Sequence, residues 1–222
     1  MKHILVAIAL LCSMTTAAKK VKVTIVGTNV QWHTDVRIIV NEQPADFHHA
    51  YVDNGQFAIT LKVEKGSFIR LAPYKTEPMG NGTRRVVRDF STNSREGIVL
   101  VAEGGKVKVN MDSGDIKGSP LSHTLQQQRA TLKRMERTID ELRNTPRGKR
   151  FTPEEWAERE RQAKQMEEAW QQQVEKYMAE TDTTTLPAWY AHNYPFCRQG
   201  GVYHAAQAKK AAWLKHPILK TH

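Results

Sequence analysis

The hydrophobic period of this chain changes once, at Gly118-Ser119-Pro120. Before that point apolar residues recur every second position, and after it they recur at steps of three and four. A period of two belongs to strands with one buried face, and the longer period to amphipathic helices. The chain is therefore expected to be α+β. An antiparallel, β-sandwich-like N-terminal half comes first, then a long antiparallel helical hairpin and short C-terminal helices.

In the first half, Val21, Val23 and Ile25 alternate with Lys22 and Thr24, and residues 36–40 form a second β-rich run. Tyr51-Val52-Asp53-Asn54-Gly55-Gln56-Phe57 places Asn-Gly between two strands. Both central residues of a type I′ turn need positive φ, which Asn and Gly tolerate, so a hairpin is expected there. Phe57, Ile59, Leu61 and Val63 continue the alternation, and Lys65-Gly66 turns the chain into residues 67–71. A polar, Arg-rich stretch over 76–95 reads as a loop. Residues 97–101 and 106–111 then flank Gly104-Gly105. About seven short strands with frequent turns suggest an antiparallel sandwich or half-barrel. No helical crossover lies between them, so a parallel sheet is disfavoured.

In the second half, Ser119 is placed to cap a helix whose first position is Pro120. Leu121, Leu125, Gln128, Leu132, Met135, Ile139 and Leu142 form one stripe. Thr152-Pro153-Glu154-Glu155 has the form of a capping box. Trp156, Ala163, Trp170 and Tyr177 follow at intervals of seven, with Met166 and Val174 between. Two facing stripes joined by a short connection predict an antiparallel pair. Pro187 starts a short helix through Asn193, and a last one is expected over about 202–215. The organisation expected is 1–18 signal peptide, 19–118 antiparallel β domain, 119–181 helical hairpin, and 182–222 short aromatic and basic helices packing on the hairpin.

Lys2 and His3, the apolar run 4–11, and small residues through Ala17 and Ala18 read as a secretory signal. That implies a periplasmic or otherwise extracytoplasmic protein. The apolar run is too short to span a bilayer, which takes about 18 residues or more. A lipid anchor at Cys12 is disfavoured, because Leu11 fills a position that lipoprotein signals reserve for a small residue. Cys197 is then the single cysteine of the exported chain, so no internal disulfide is expected.

Chemistry-bearing residues are few. His48 and His49 are adjacent, and neighbours on a strand point to opposite faces, so they are not expected to share an ion. No metal-ligand spacing, nucleophile elbow or phosphate-binding glycine loop occurs, and no metal or cofactor is expected. Cys197 is the one candidate reactive thiol, with Arg198 placed to favour the thiolate and His192 or His204 to serve as base. The plainer expectation is a packed thiol. Trp189, Tyr190, Tyr194 and Phe196 are candidate ligand-surface aromatics, although packing onto the hairpin is again the plainer expectation. The formal net charge is +10, yet residues 19–118 carry 15 basic and 11 acidic residues with only Arg84, Arg85 and Arg88 close together. No aromatic ladder accompanies them, so nucleic acid is not an expected partner. A basic surface facing anionic lipid or polysaccharide is a milder expectation.

Several segments occur in a familiar order: the signal, Val23-Thr24-Ile25-Val26-Gly27, then Ala50-Tyr51-Val52-Asp53-Asn54-Gly55-Gln56-Phe57. Gly104-Gly105-Lys106-Val107-Lys108-Val109 and Ile116-Lys117-Gly118-Ser119-Pro120-Leu121 follow, leading into a charged helix. This order resembles the β-rich N-terminal domain of unknown function that precedes the thioredoxin-like domain in bacterial envelope proteins of the TlpA and ResA type (AhpC/TSA). No Cys-x-x-Cys follows here, so the resemblance implies a stand-alone form and carries over no catalytic residue. It implies a non-catalytic binding or accessory module of the cell envelope, partnered by an envelope protein or a thioredoxin-like protein. The alternative is a thiol-dependent redox partner or enzyme acting through Cys197. Oligomeric state is not legible.

Overall fold

The computed structural model describes residues 19–220 apart from 31–33, 44–46, 81–83, 90–96, 147 and 149. The expected signal segment and Cys12 lie outside the described residues. Strand alternation in β1 (Lys20–Thr28) turns Val23 and Ile25 inward and the lysines outward. With β4 (Phe57–Glu64), β8 (Gly105–Asn110) and β9 (Ile116–Lys117), it forms a sheet of order β4-β1-β8-β9. A second sheet contains β2 (Asp35–Val40), β3 (Phe47–Tyr51), β5 (Phe68–Pro78), β6 (Arg84–Asp89) and β7 (Ile98–Val101). Its order is β3-β2-β5-β6, with β7 also beside β5. The two sheets enclose a core of Val23, Ile25, Val36, Ile38, Leu61, Ile69, Leu71, Leu100 and Val107.

Three strand expectations change. β1 pairs with β8 in parallel, although every other pairing of named strands is antiparallel. The chain between them passes through the second sheet, and this long excursion serves as the crossover that a helix usually supplies. Arg84, Arg85 and Arg88 lie on strand β6 instead of in a loop, because β5 extends to Pro78 and offers its edge to them. Asn54 and Gly55 have φ of 48° and 71°, and Asp53 and Gln56 exchange backbone hydrogen bonds of 2.8 and 2.9 Å. The expected turn is therefore present. However, β3 and β4 belong to different sheets, so it is a corner closed by one bridge and no hairpin ladder follows.

Glycine substitutions should separate backbone strain from collision. A Cβ on Gly55 meets nothing within 4 Å, so Gly55→Ala carries only the cost of its positive φ, on the order of 1 kcal/mol. Gly118, at φ 88°, has the Lys106 carbonyl oxygen 2.3 Å from where a Cβ would stand. Gly118→Ala should lower the melting temperature clearly more than Gly55→Ala. Equal losses would mean that the bend before the first helix can relax.

The helices are α1 (Pro120–Arg143), α2 (Pro153–Glu180), α3 (Leu186–Asn193) and α4 (Gly201–Lys209), with 3-10 turns at Pro195–Gln199, Ala212–Lys215 and Pro217–Lys220. Ser119 caps α1, and Thr152 and Glu155 form a complete capping box on α2. The Glu103 carboxylate also accepts from Leu121 N at 3.0 Å, a negative charge at the positive end of α1. The expected last helix stops early. Lys210 turns left-handed at φ 54° and Ala211 N donates to Ala206 O, which closes the helix end.

β7 joins the two halves. Ile98 and Leu100 face the inter-sheet core, whereas Val99 and Val101 join Phe68 in a second core with the helices. Its free edge is satisfied by α1: Val101 N donates to Ser122 Oγ at 2.8 Å, and Arg129 donates to Gly97 O at 3.2 Å. The order of layers is thus β4-β1-β8-β9 sheet, second sheet, helices.

The C-terminal turns reach back to the β half. His216 Nε2 donates to Gly66 O at 3.1 Å, while its Nδ1 accepts from Ile218 N at 3.2 Å. Both ring nitrogens are used in the neutral form, and Phe68 packs against the ring. Burial lowers the His216 pKa below its ordinary 6.5, against the opposing pull of the Gly66 carbonyl and Glu64. A depressed histidine makes the folded state bind fewer protons, so its contribution is complete above about pH 6.5 and is lost as pH falls through the lowered value. Melting temperature should therefore drop on going from pH 7 to 5, and drop less in His216→Phe.

Candidate functional site: a lysine face on the outer sheet

The pleat of the β4-β1-β8-β9 sheet sends residues of one parity inward and the others to solvent. On the outward parity lie Lys20 and Lys22 of β1, Lys62 of β4, Lys106 and Lys108 of β8, and Lys117 of β9, all exposed. The register sets Lys22 directly opposite Lys62 and Lys108 opposite Lys117, and it places Lys106 beside Thr24. Thr24 and Thr60 hydrogen-bond across the same face at 3.0 Å, and its apolar members are Val26 and Ala58. Glu64, at the end of β4, stands opposite Lys20. Asp115, exposed and opposite Asn110 where the β8–β9 pairing continues (Asn110 N donates to Asp115 O at 2.9 Å), shares the outward parity of Lys117. Among the described residues none of the six lysines is in an ion pair.

Like charges opposite each other across strands are destabilising. Neighbouring strands are about 4.8 Å apart, and two unit charges about 5 Å apart in water repel by about 0.8 kcal/mol. The register places like charges side by side, with Glu64 and Asp115 at the edges of the group. An external anion would relieve the repulsion.

The residues singled out in the sequence lie elsewhere. Cys197 is fully buried, and its thiol is pushed up to about 12 by burial first and by the Glu175 carboxylate second. Arg198 Nε donates to the Ala191 carbonyl at 3.0 Å, and the exposed His204 turns to Gln207. His192 is buried on α3. The thiol is buried and neutral at pH 7, so this arrangement does not activate it. A thiol reagent at pH 8 should leave the native protein unlabelled and should label Cys197 once denaturant is added. Rapid native labelling would place the thiol in an accessible site.

Trp189, Tyr190 and Tyr194 are buried and Phe196 is half-buried. Trp170 meets Tyr194 edge-on at 5.2 Å and packs on Phe196 at 5.3 Å. Tyr190 donates its hydroxyl proton to Gln128 Oε1 at 2.6 Å, and the Arg129 guanidinium lies 5.3 Å from the Trp189 ring centre. These side chains pack α1, α2 and α3 together. On the second sheet His49 Nδ1 is hydrogen-bonded with the Tyr74 hydroxyl at 2.6 Å, and His48 is exposed. Among the described residues no group of three or more His, Cys, Asp or Glu is placed to hold a metal ion.

Sequence counting missed the lysine face because it averaged charge over 19–118. The available signal was the i, i+2 spacing of Lys20 with Lys22 and of Lys106 with Lys108. Compared with known proteins, the chain matches no family model, no curated protein and no solved structure.

Proposed function

We propose that this chain is an extracytoplasmic, non-catalytic binding module that holds an anionic partner against its lysine face. The observation that carries it is the gathering of Lys20, Lys22, Lys62, Lys106, Lys108 and Lys117 on one sheet surface, with Glu64 and Asp115 at its edges. The N-terminal run of Lys2, His3 and apolar residues 4–11 supports export, and the resemblance to the envelope domain that precedes thioredoxin-like domains supports an accessory role.

The salt concentration that elutes the protein from a heparin column is the test. A Lys22→Glu/Lys62→Glu/Lys108→Glu variant should elute at much lower salt than the parent. A Lys133→Glu/Lys164→Glu/Lys209→Glu variant, matched in net charge and altered only at exposed helical positions, should elute near the parent. Equal loss in both variants would mean that net charge alone is responsible and would overturn the proposal.

A further inference from the structure

We infer that the anionic partner is a bilayer rich in acidic phospholipid, on which the lysine-bearing sheet lies flat. This rests on the electrostatic reading above and names its partner.

Shape is the first argument. The charged residues spread over all four strands of the sheet, in rows set by its register instead of along one line. At about 4.8 Å between strands and about 6.7 Å between alternate residues, the lysines cover a patch of roughly 15 by 20 Å. A patch that wide and shallow complements a planar array of charges better than a single strand of them.

Side-chain type is the second argument. Every cation at the outward positions of these four strands is lysine. A lysine ammonium is a point charge on a flexible stem, suited to headgroups that move laterally, whereas arginine forks select fixed phosphate or carboxylate geometry. No aromatic residue stands at the outward positions of these four strands, and base or sugar stacking platforms depend on aromatics. Val26 and Ala58 are too small to insert into the hydrocarbon, so adsorption is electrostatic and reversible.

Placement is the third. This sheet is the outermost layer, and the helices pack on the opposite side of the molecule through Phe68, Val99 and Val101. A membrane can therefore meet the lysines without displacing any described element. No described helix is long and apolar enough to cross it.

Flotation of the protein lacking residues 1–18 with vesicles of phosphatidylcholine, with or without 30 mol % phosphatidylglycerol (about one charge in three headgroups), tests this. Binding should require phosphatidylglycerol and fall steeply as salt is raised. Each lysine held near an anionic leaflet should strengthen partitioning about fivefold. The Lys22→Glu/Lys62→Glu/Lys108→Glu variant should therefore bind at least about 100-fold more weakly, and the matched helical triple variant should stay close to the parent. A neutral Lys22→Gln/Lys62→Gln/Lys108→Gln variant should be intermediate, and circular dichroism of each checks that it is folded. Heparin binding through the lysine face without vesicle binding would overturn the bilayer and leave the electrostatic reading standing. Binding to neither would overturn both, and equal vesicle binding by the two triple variants would overturn the assignment to this face.

Discussion

Deleting residues 186–222 is expected to abolish most of the helical circular dichroism while leaving the strand signal of the β half. The hairpin of α1 and α2 has one shared seam, with Leu125, Leu132, Val174 and Met178 fully buried in it. Its other cover comes from the tail: Leu186, Trp189, Tyr190, Tyr194, Trp213 and Ile218 are all buried in the same core. Fully burying a large apolar side chain contributes about 1.5–3 kcal/mol. Six of them together rival the net stability of a whole domain, about 5–15 kcal/mol. The core between the sheets shares none of these residues, so the strands should persist. Phe68, Val99 and Val101 would lose their cover, and the truncated protein should self-associate. Retention of full helicity would show that the hairpin stands without the tail.

Arg70→Met should cost about 3–5 kcal/mol in denaturant unfolding. Arg70 is 5% exposed and holds the Glu42 carboxylate with two nitrogens, Nε at 2.8 Å and Nη2 at 2.7 Å, and the Glu42 side chain is only 14% exposed. Removing the guanidinium strands a nearly buried carboxylate, and that uncompensated charge is the source of the cost. Arg129 is close enough for both groups to act on it. Burial lowers its pKa first, Arg70 adds to that, and Glu42 opposes it. Glu42→Gln should also be costly, because it removes the carboxylate that Arg70 holds with both Nε and Nη2. The double variant Arg70→Met/Glu42→Leu should recover most of the loss. A loss below about 1 kcal/mol for Arg70→Met would mean that water reaches Glu42 and screens it.

Capping and turn chemistry were legible because they depend on residues a few positions apart. Ser119 with Pro120, Thr152 with Glu155, and Asn54 with Gly55 each adopt the local geometry their side chains favour. Their larger context was not legible. The Asn54-Gly55 turn has the backbone of a hairpin, yet its flanking strands part into different sheets. Val86 and Val87 sit among arginines without clean alternation, and only the exposed edge of β5 recruits 84–89 as a strand. The aromatic cluster was visible as composition, and the plainer expectation of packing matches its burial between α1, α2 and α3. For Cys197, adjacent Arg198 suggested a thiolate, but Arg198 turns to a backbone carbonyl and burial decides the thiol's charge.

By itself the sequence determined the α+β class, the change of period at Gly118-Ser119-Pro120, and the starts of both long helices. Each rests on interactions within one or two turns of chain, where side-chain type and backbone preference act directly. The tertiary structure alone decided which strands share a sheet, that β1 and β8 run parallel, and that β7 is buried on both sides. It also decided that lysines from 20 to 117 meet on one face. Alternation tells each strand which residues point together, but sheet order and register are fixed by burial of apolar residues far apart in sequence. The charges opposite them are carried along wherever that burial places them.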